Sequence, residues 1–347
     1  MLADDLTGAL DTAAQFACQD SPVSVILDMP EGALPDSLVM DCATRELNAG
    51  DAVIKARAGA ALLDAAPGRL CFFKIDSLLR GHPFLELAES LKPYPQRRCI
   101  LAPALPYQNR VTRGGRQYAR FAQDWVEVGE NIASAPRQLG LSCDLGYPGN
   151  PIPKGISLWD SETDSDLDAI VDAGLACDTP VLWCGSAGLA GALARRHRLN
   201  PAPVQLKQPL LGIFGSNHPV MLGQIAHDAE CRISNKEYKA GETAWVTFPL
   251  PADIDRTLAR AHINSMAAEM IAHSPPPGTL VVSGGETLRG LAQTLQVASI
   301  AVIGQLEPGI PVARLVGGPW HNTMVVAKSG AFGTPDFLTR LRQKASA

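Results

Sequence analysis

Two adjacent acids stand near the start of the chain, in the stretch "LADDLTGALD" at residues 2–11. Neighbouring carboxylates repel each other, and aspartate has a low propensity for strands. Asp5 is explained if a helix begins at Leu6, because a carboxylate there accepts a backbone N–H and suits the helix dipole. Such a cap accounts for one acid and leaves Asp4 unexplained.

A second group of charged residues follows the apolar run "LCFF". Lys and Arg at the ends of strands, with carboxylates beside them, can bind a small carboxylate and several hydroxyl groups. The alternative is a network of surface salt bridges, which would contribute little. The apolar run favours the binding interpretation. The residues are Lys74, Asp76, Ser77 and Arg80 of "KIDSLLRG", together with Arg45 and Glu46 after "LVMDCAT".

Three predicted strands in the second half each end in a glycine turn that precedes a helical pattern. Glycine lets a phosphate approach the backbone, and a helix N-terminus offers free N–H groups with partial positive charge. One such turn is ordinary, whereas three in one domain favour a nucleotide site. Neither G-x-x-x-x-G-K-[ST] nor G-x-G-x-x-G occurs, so a nucleotide would be held by another arrangement. The turns lie in 209–229, 279–295 and 322–341.

The elements that must position these residues alternate between short apolar runs and helical patterns. This alternation is typical of an α/β fold with a mostly parallel, doubly wound sheet, in which ligands bind at the carboxyl ends of the strands. The proline-rich stretch 199–209 predicts a linker, and the Gly- and Pro-rich stretch 103–160 permits no assignment. The predicted strands include 23–28, 37–42, 70–75, 97–104 and 180–185, and the predicted helices include 51–66 and 84–91.

The composition narrows the class of protein. Apolar residues make up 46% of the chain and charged residues 19%, as in ordinary folded domains, and 347 residues predict two domains. A net charge of −5 without a basic cluster argues against nucleic-acid binding. No apolar stretch approaches the ~18 residues of a membrane span. The eight scattered cysteines indicate buried thiols in a reducing compartment, so we expect a cytoplasmic protein.

The order of these segments resembles that of the four-carbon acid sugar kinase family over essentially the whole chain. The resemblance implies ATP-dependent phosphorylation of the terminal hydroxyl of erythronate, threonate or a 3-oxo-tetronate, with Mg²⁺. It also implies two α/β domains, a sugar-acid-binding domain over 1–203 and a nucleotide-binding domain over 204–347, with the active site in the cleft between them. The segments are "ADDLTGA", "KIDSLLRG", "LAPALP", "GSAGLA", "GSNHPV", "SGGET", "EPGIP" and "KSGAFGTPDFL".

The resemblance also implies roles for the candidate site residues, position by position. The acids of "ADD" are catalytic, the two charged groups bind the sugar acid, and the glycine turns bind the nucleotide. The residues are Asp4 and Asp5 for catalysis; Arg45, Lys74, Asp76, Ser77 and Arg80 for the sugar acid; and Ser216, Gly284, Gly285, Glu286, Thr287 and Gly330 for the nucleotide.

Within this resemblance the two acids take different roles. Phosphoryl transfer needs a base for the hydroxyl proton and neutralisation of phosphate charge. We expect Asp5 to cap the helix and Asp4 to act as the base or to hold Mg²⁺, with the reverse assignment open and Asp11 or Asp76 as the next acid to test. The chain departs from the family's pattern in having few residues before Asp4, and in "GSNHPV" where members have "GSCSPV" or similar.

Two other functions remain open for this sequence. A nucleotide-dependent oxidoreductase could use the same kind of sheet, but the G-x-G-x-x-G fingerprint and its ribose-binding acid are missing. A non-catalytic sensor would bind ATP or a sugar acid without turnover. The expected partners are small molecules, with no nucleic acid and no membrane, and the chain could form a homo-oligomer.

Overall fold

The computed structural model describes residues 1–29, 34–64, 69–92, 97–199, 204–248, 256–272 and 274–346. Its helices are α1 (Leu6–Phe16), α2 (Ala49–Asp64), α3 (Pro83–Leu91), α4 (Ala135–Gln138), α5 (Asp164–Leu175), α6 (Ala187–Arg196), α7 (Pro219–His227), α8 (Arg256–Ala272), α9 (Gly285–Thr294) and α10 (Phe337–Ser346). Its strands are β1 (Leu2–Ala3), β2 (Val23–Ile26), β3 (Leu38–Asp41), β4 (Cys71–Lys74), β5 (Arg98–Ala102), β6 (Arg110–Arg113), β7 (Arg116–Phe121), β8 (Asp124–Glu127), β9 (Cys143–Leu145), β10 (Gly155–Leu158), β11 (Val181–Gly185), β12 (Leu210–Phe214), β13 (Arg232–Ser234), β14 (Ala244–Thr247), β15 (Thr279–Ser283), β16 (Ser299–Glu307), β17 (Ile310–Val316) and β18 (Met324–Lys328).

The chain divides into two compact units. The first comprises Met1–Phe16 and Asp28–Asn200, and the second comprises Ala17–Leu27 and Pro201–Ala347. The segment 17–27, which the sequence analysis placed in the first domain, is therefore grouped with the second unit. The expected boundary after residue 203, and residues 200–203 of the expected linker, lie outside the described residues.

A parallel sheet forms the centre of the first unit, with the strand order β3-β1-β4-β11-β5-β10-β9. Strands covered on both faces are continuous apolar runs, and accordingly every residue of β4 and β11 is buried. Helices α5 and α6 pack against the sheet through Leu167, Ile170 and Leu189.

The strands of this sheet end in register. Ala3 at the end of β1 lies opposite Asp41 of β3 and Lys74 of β4, and Lys74 lies opposite Gly185 of β11. The residues that follow these strands therefore emerge at one edge of the sheet, which is where ligands bind in open α/β sheets.

A second, antiparallel sheet of β6, β7 and β8 lies in the stretch 103–160, which the sequence left unassigned. Gly114 and Gly115 form the turn between β6 and β7 with φ values of 57° and 73°, as a two-residue hairpin turn requires. The buried side chain of Gln117 ties the small sheet to the candidate site, because its Nε2 donates to the Ser77 carbonyl at 2.9 Å.

The second unit also has a central sheet, with the order β13-β14-β12-β15-β18-β17-β16-β2. The pairs from β13 to β18 are parallel, and the pairs from β18 to β2 are antiparallel. Its core includes Phe214, Trp245, Val281, Val326 and Leu338. The strand β2 comes from the segment 17–27 and completes this sheet by pairing with β16.

The predicted α/β architecture with mostly parallel sheets is confirmed. The strands expected at 23–28, 37–42, 70–75, 97–104 and 180–185 are β2, β3, β4, β5 and β11, and the helix expected at 51–66 is α2, with 65–66 outside the described residues. None of the helices in the described ranges combines the length and the apolar character that a membrane span requires.

Candidate active site

Charged side chains converge at the carboxyl edge of the first unit's sheet. Asp4 and Asp5 follow β1, Arg45 follows β3, and Lys74 ends β4. The turn after β3 is fixed to the turn after β1, because the backbone N–H groups of Thr44 and Arg45 donate to the Asp4 carbonyl at 3.0 and 3.2 Å. The structure thus brings together residues from three separate segments of the sequence.

Arg45 contacts three aspartates at once. Its Nε donates to Asp4 Oδ2 at 2.7 Å, its Nη1 lies 2.5 Å from Asp5 Oδ2, and its Nη2 lies 3.6 Å from Asp76 Oδ1. The arginine side chain is only 11% exposed. Removing one partner of such a buried ion pair strongly destabilises a folded protein, because the other charge is left uncompensated. All three guanidinium nitrogens of Arg45 thus contact carboxylates of the protein itself.

Asp4 and Asp5 differ in what their second oxygens contact. The Gly8 N–H donates to Asp5 Oδ1 at 2.8 Å, as the helix-cap interpretation predicts. Asp4 is 4% exposed, and its Oδ1 has no hydrogen-bond partner among the described residues. Because buried polar atoms are nearly always paired, this unpaired oxygen is the one that a bound ligand would satisfy.

The turn after β4 carries the other sugar-acid candidates. Arg80 donates from Nε and Nη2 to the two oxygens of Asp76, at 2.7 and 2.9 Å. Burial by itself would raise the pKa of Asp76, but the Arg80 hydrogen bonds and the Arg45 charge outweigh it and hold that pKa well below its usual range. The buried Lys74 donates from Nζ to a backbone carbonyl of the same turn at 2.8 Å. Ser77 lies beside this group and is also buried.

Asp4 and Asp11 are buried carboxyls at this edge with raised pKa values. Burial raises the pKa of Asp4 above its ordinary value, with the negative charge of Asp5 adding to the effect and Arg45 opposing it. Burial likewise raises the pKa of Asp11 to about 6, against the attraction of Lys74. A general base works best when its pKa lies near the operating pH. Both carboxyls are therefore better suited to exchange a proton than Asp76 is.

The sequence analysis missed two residues of this group, Tyr107 and Arg110. The Tyr107 hydroxyl donates to Asp11 Oδ2 at 3.3 Å, and the Arg110 guanidinium donates to Ser77 Oγ. Asp11 is 6% exposed, and its Oδ1 has no partner within the described ranges. A signal was present in the sequence, because the polar stretch "YQNRVTR" closely follows the predicted strand "RRCILAPA" at its carboxyl end.

The glycine turns of the second unit also meet at one edge. Phe214, Ser283 and Lys328 end β12, β15 and β18 in register. The Gly284 N–H donates to the Lys328 carbonyl at 3.1 Å, and Gly284 has a φ of 107°, which favours glycine. Helix α9 begins at Gly285, so its free N–H groups start directly after this turn.

Close packing at this edge accounts for two of the glycines. A Cβ on Gly330 would lie 2.7 Å from the Cβ of Ser216, and a Cβ on Gly215 would lie 3.1 Å from the Cβ of Thr287, with both hydroxyl oxygens closer still. Glu286 is half-buried in the first turn of α9. The candidate nucleotide residues thus surround a single set of adjoining turns, whose exposed backbone N–H groups suit phosphate.

Lys328 is buried at the same edge without a carboxylate partner among the described residues. It is 1% exposed, and its Nζ lies 3.4 Å from Met221 Sδ and 5.9 Å from the centre of the Phe337 ring. Burial lowers its pKa from 10.5 to about 8. An anion bound at these turns would offset the unfavourable burial of this charge. The sequence analysis took only Gly330 from the "KSG" turn and did not select this lysine.

Comparison with known protein families matches each half of the chain to a domain family. Residues 1–135 match a sugar-binding N-terminal domain, and residues 234–338 match a nucleotide-binding C-terminal domain. The D-threonate kinase of Bordetella bronchiseptica is 26% identical over 99% of this chain and 96% of its own length. The D-threonate kinase of Salmonella typhimurium is 27% identical over 97% of this chain and 96% of its own length. A 3-oxo-tetronate kinase of Pseudomonas fluorescens is 24% identical over 76% of this chain.

Solved structures share the fold. A protein of Salmonella typhimurium LT2 has a TM-score of 0.78 with this chain at 18% identity, and Haemophilus influenzae protein HI1011 has a TM-score of 0.71 at 17% identity. Each comparison covers 99% of this chain and 98% of the other.

The two domain matches and the kinase relatives identify an α/β kinase with a sugar-binding and a nucleotide-binding domain. The chain belongs to the four-carbon acid sugar kinase family, as the resemblance in its sequence predicted.

Proposed function

We propose that the protein transfers the terminal phosphoryl group of ATP to the terminal hydroxyl of a four-carbon sugar acid, with D-threonate as the first substrate to test. The observation that carries this proposal is the buried Asp4 carboxyl, whose Oδ1 is unpaired within the described residues. Relatives named D-threonate kinase over nearly the whole chain support the substrate class.

In this proposal the first unit binds the sugar acid and activates its hydroxyl. The hydroxyl donates to Asp4 Oδ1, and the carboxylate accepts its proton as the oxygen attacks the phosphorus. Arg45 keeps Asp4 in place through the 2.7 Å hydrogen bond to Oδ2 and leaves Oδ1 free for this step. A base positioned in this way contributes about 10²–10⁴-fold to a rate.

The second unit holds the nucleotide at its glycine turns. Backbone N–H groups at the start of α9 and in the turn after β12 would bind phosphate oxygens, and the buried charge of Lys328 would favour the triphosphate. Ser216 and Thr287 lie close enough to Gly330 and Gly215 to fix the shape of these turns.

The residues present are compatible with Mg²⁺ brought by the nucleotide. The described part of the chain contains no group of three or more His, Cys, Asp or Glu residues that could hold a metal ion by itself. Mg²⁺ in kinases needs only one or two carboxylates, because phosphates and water complete its coordination. In the alternative in which Asp4 is not the base, its Oδ1 would hold the ion, and Mg²⁺ when bound would neutralise phosphate charge.

A coupled ADP-release screen over D- and L-threonate, D- and L-erythronate and their 3-oxo forms tests the proposal. We expect saturable, ATP-dependent turnover of at least one acid and no turnover of a sugar acid that lacks the terminal hydroxyl. Tight binding of ATP and an acid without any ADP release would identify a sensor instead of a kinase.

A further inference from the structure

The guanidinium of Arg110 in the sugar-binding unit has no carboxylate within 4.0 Å among the described residues. We propose that Arg110 binds the carboxylate of the substrate, while Arg45 positions the catalytic acids. This inference rests on the proposed function, in which the substrate is a sugar acid. A site selective for an acid over the corresponding polyol needs a cation for the carboxylate, and arginine provides two parallel N–H donors for it.

Arg45, Arg80 and Arg110 lie at this edge and differ in their contacts with carboxylates. Arg45 contacts three aspartates, and Arg80 forms a bidentate pair with Asp76. Arg110 is half-buried, donates to the Ser77 hydroxyl, and has no carboxylate within 4.0 Å among the described residues. Burial lowers the pKa of Arg110 below its ordinary value, whereas the nearby aspartates raise the pKa of Arg45. Arg110 is thus the guanidinium that an external carboxylate would stabilise most.

Lys74 at the same edge also has no carboxylate within 4.0 Å among the described residues. Its ammonium already donates to a backbone carbonyl and attracts Asp4 and Asp11 electrostatically. A lysine is also a point charge that cannot form the planar two-donor contact of an arginine. These differences favour Arg110 for the substrate carboxylate and Lys74 for the balance of charge around the acids.

The backbone holds Arg110 firmly in position. Its N–H donates to the Leu105 carbonyl at 3.2 Å, and its carbonyl accepts from the Leu105 N–H at 2.8 Å. The strand that it begins is tied to the 74–80 turn by Gln117, whose Oε1 accepts from the Thr112 hydroxyl at 2.7 Å while its Nε2 donates to the Ser77 carbonyl. A rigid support of this kind orients a guanidinium without a large loss of entropy on binding.

One acceptor for a substrate hydroxyl lies near the same guanidinium. Asp11 is close enough to Arg110 for the two charges to interact, and its buried Oδ1 is unpaired within the described residues. A sugar acid bound here could therefore pair its carboxylate with Arg110 and donate a hydroxyl hydrogen bond to Asp11 in the same site. This combination matches a hydroxy acid and would discriminate against an uncharged polyol.

The test measures binding by calorimetry in the absence of nucleotide, and kinase activity separately. In Arg110→Met we expect the Kd for D-threonate to rise roughly 10- to 100-fold, the loss expected for a charge-assisted contact. The kcat/KM for threitol, which has a hydroxyl in place of the carboxylate, and the KM for ATP should not change. Arg110→Lys should recover part of the affinity. The matched control is Arg116→Met, because Arg116 lies in the same hairpin but is exposed and paired with Glu127.

The outcomes separate this inference from the proposed function. Arg110-dependent binding of D-threonate by a protein that releases no ADP with any acid would support the carboxylate site and contradict the kinase. Normal turnover of D-threonate by Arg110→Met would support the kinase and overturn the carboxylate site. Equal losses for D-threonate and threitol would also overturn it, because the residue would then support the structure and not select the acid.

Discussion

Asp4 and Asp5 are neighbours in the sequence, yet residues distant in the chain give them different properties. Both contact Arg45, which follows another strand, but only Asp5 also caps α1 through the Gly8 N–H. The burial of Asp4 and its Oδ1, which is unpaired among the described residues, distinguish a candidate base from a structural acid. At the residue scale, the chemistry is therefore decided by the contacts of the second carboxylate oxygen.

Asp4→Asn should lower kcat by about 10²–10⁴, the usual contribution of positioned proton transfer. The amide nearly preserves the shape of the side chain, so KM values for both substrates should change little. Asp5→Asn is the matched control, and we expect a mild effect because asparagine caps helices about as well as aspartate. Steady-state kinetics of the two purified variants checks this prediction.

A metal titration of Asp4→Asn distinguishes a base from a Mg²⁺ ligand. If Asp4 is the base, excess Mg²⁺ or Mn²⁺ should leave the lost activity unrestored. Partial recovery with excess metal would move Asp4 to metal binding. Near-normal kcat at ordinary Mg²⁺ would show that Asp4 takes no part in the reaction. Asp11, whose pKa is raised by burial to about 6, would then be the next candidate for the base.

Lys328→Met should increase the free energy of unfolding at pH 7 and weaken ATP binding. The amine is buried among apolar groups, and its pKa falls from 10.5 in the unfolded chain to about 8. Between these values the unfolded chain binds more protons than the native protein, so the stability of the wild type rises with pH, by at most ~3 kcal/mol. The variant should lack this rise. Denaturant unfolding at pH 7 and pH 10 measures it, and an equal pH dependence in both proteins would contradict the burial argument.

At the scale of elements, strands and glycine turns could be predicted because their signals are local. The runs "CFFK" and "VLWCG" are apolar throughout, and each nucleotide turn carries its own glycines. The strands β6 and β7 were not predicted, because their many arginines obscure the alternation of apolar residues. Tyr107 and Arg110 were missed for the same reason. The contact of Arg45 with three aspartates depends on the order of strands in the sheet, which no local pattern specifies.

Gly330→Ala should raise the KM for ATP by tenfold or more and leave sugar-acid binding unchanged. The new methyl group would be forced against Ser216, whose Cβ would be 2.7 Å away, and would displace the turn after β12. The control is Gly223→Ala in α7, where a Cβ meets nothing within 4 Å. Calorimetry with ATP and with D-threonate compares the two variants. Unchanged ATP affinity in Gly330→Ala would exclude this turn from the nucleotide site.

At the scale of the whole molecule, the chain passes from the first unit to the second and back before residue 28. The strand β2 pairs with β16, with Val25 opposite Ile300. A sequence pattern identifies β2 as a strand but gives no information about its partner, so a boundary drawn at one linker assigns it by its position in the chain alone. The second unit is therefore built from two separate parts of the chain.

Val25→Ala should destabilise the second unit by about 2 kcal/mol, since it removes buried methyl groups from a packed strand. Val39→Ala is the matched control, because Val39 is equally buried, at 0% exposure, but lies in β3 of the first unit. Hydrogen exchange should show faster exchange in β16 for the first variant and in β1 and β4 for the second. Equal loss of protection in both units would show that they unfold together.

The position of β2 also has a consequence during protein synthesis. The residues of β2 are synthesised long before those of β16. Domains usually fold as they are completed, N-terminal first, so the first unit can assemble before β16 is available to pair with β2. The apolar stretch "VSVI" therefore lacks its β16 partner until the nucleotide-binding unit is translated. Slow translation or truncated chains would therefore favour aggregation through this strand, and rapid completion of the chain would favour the native pairing.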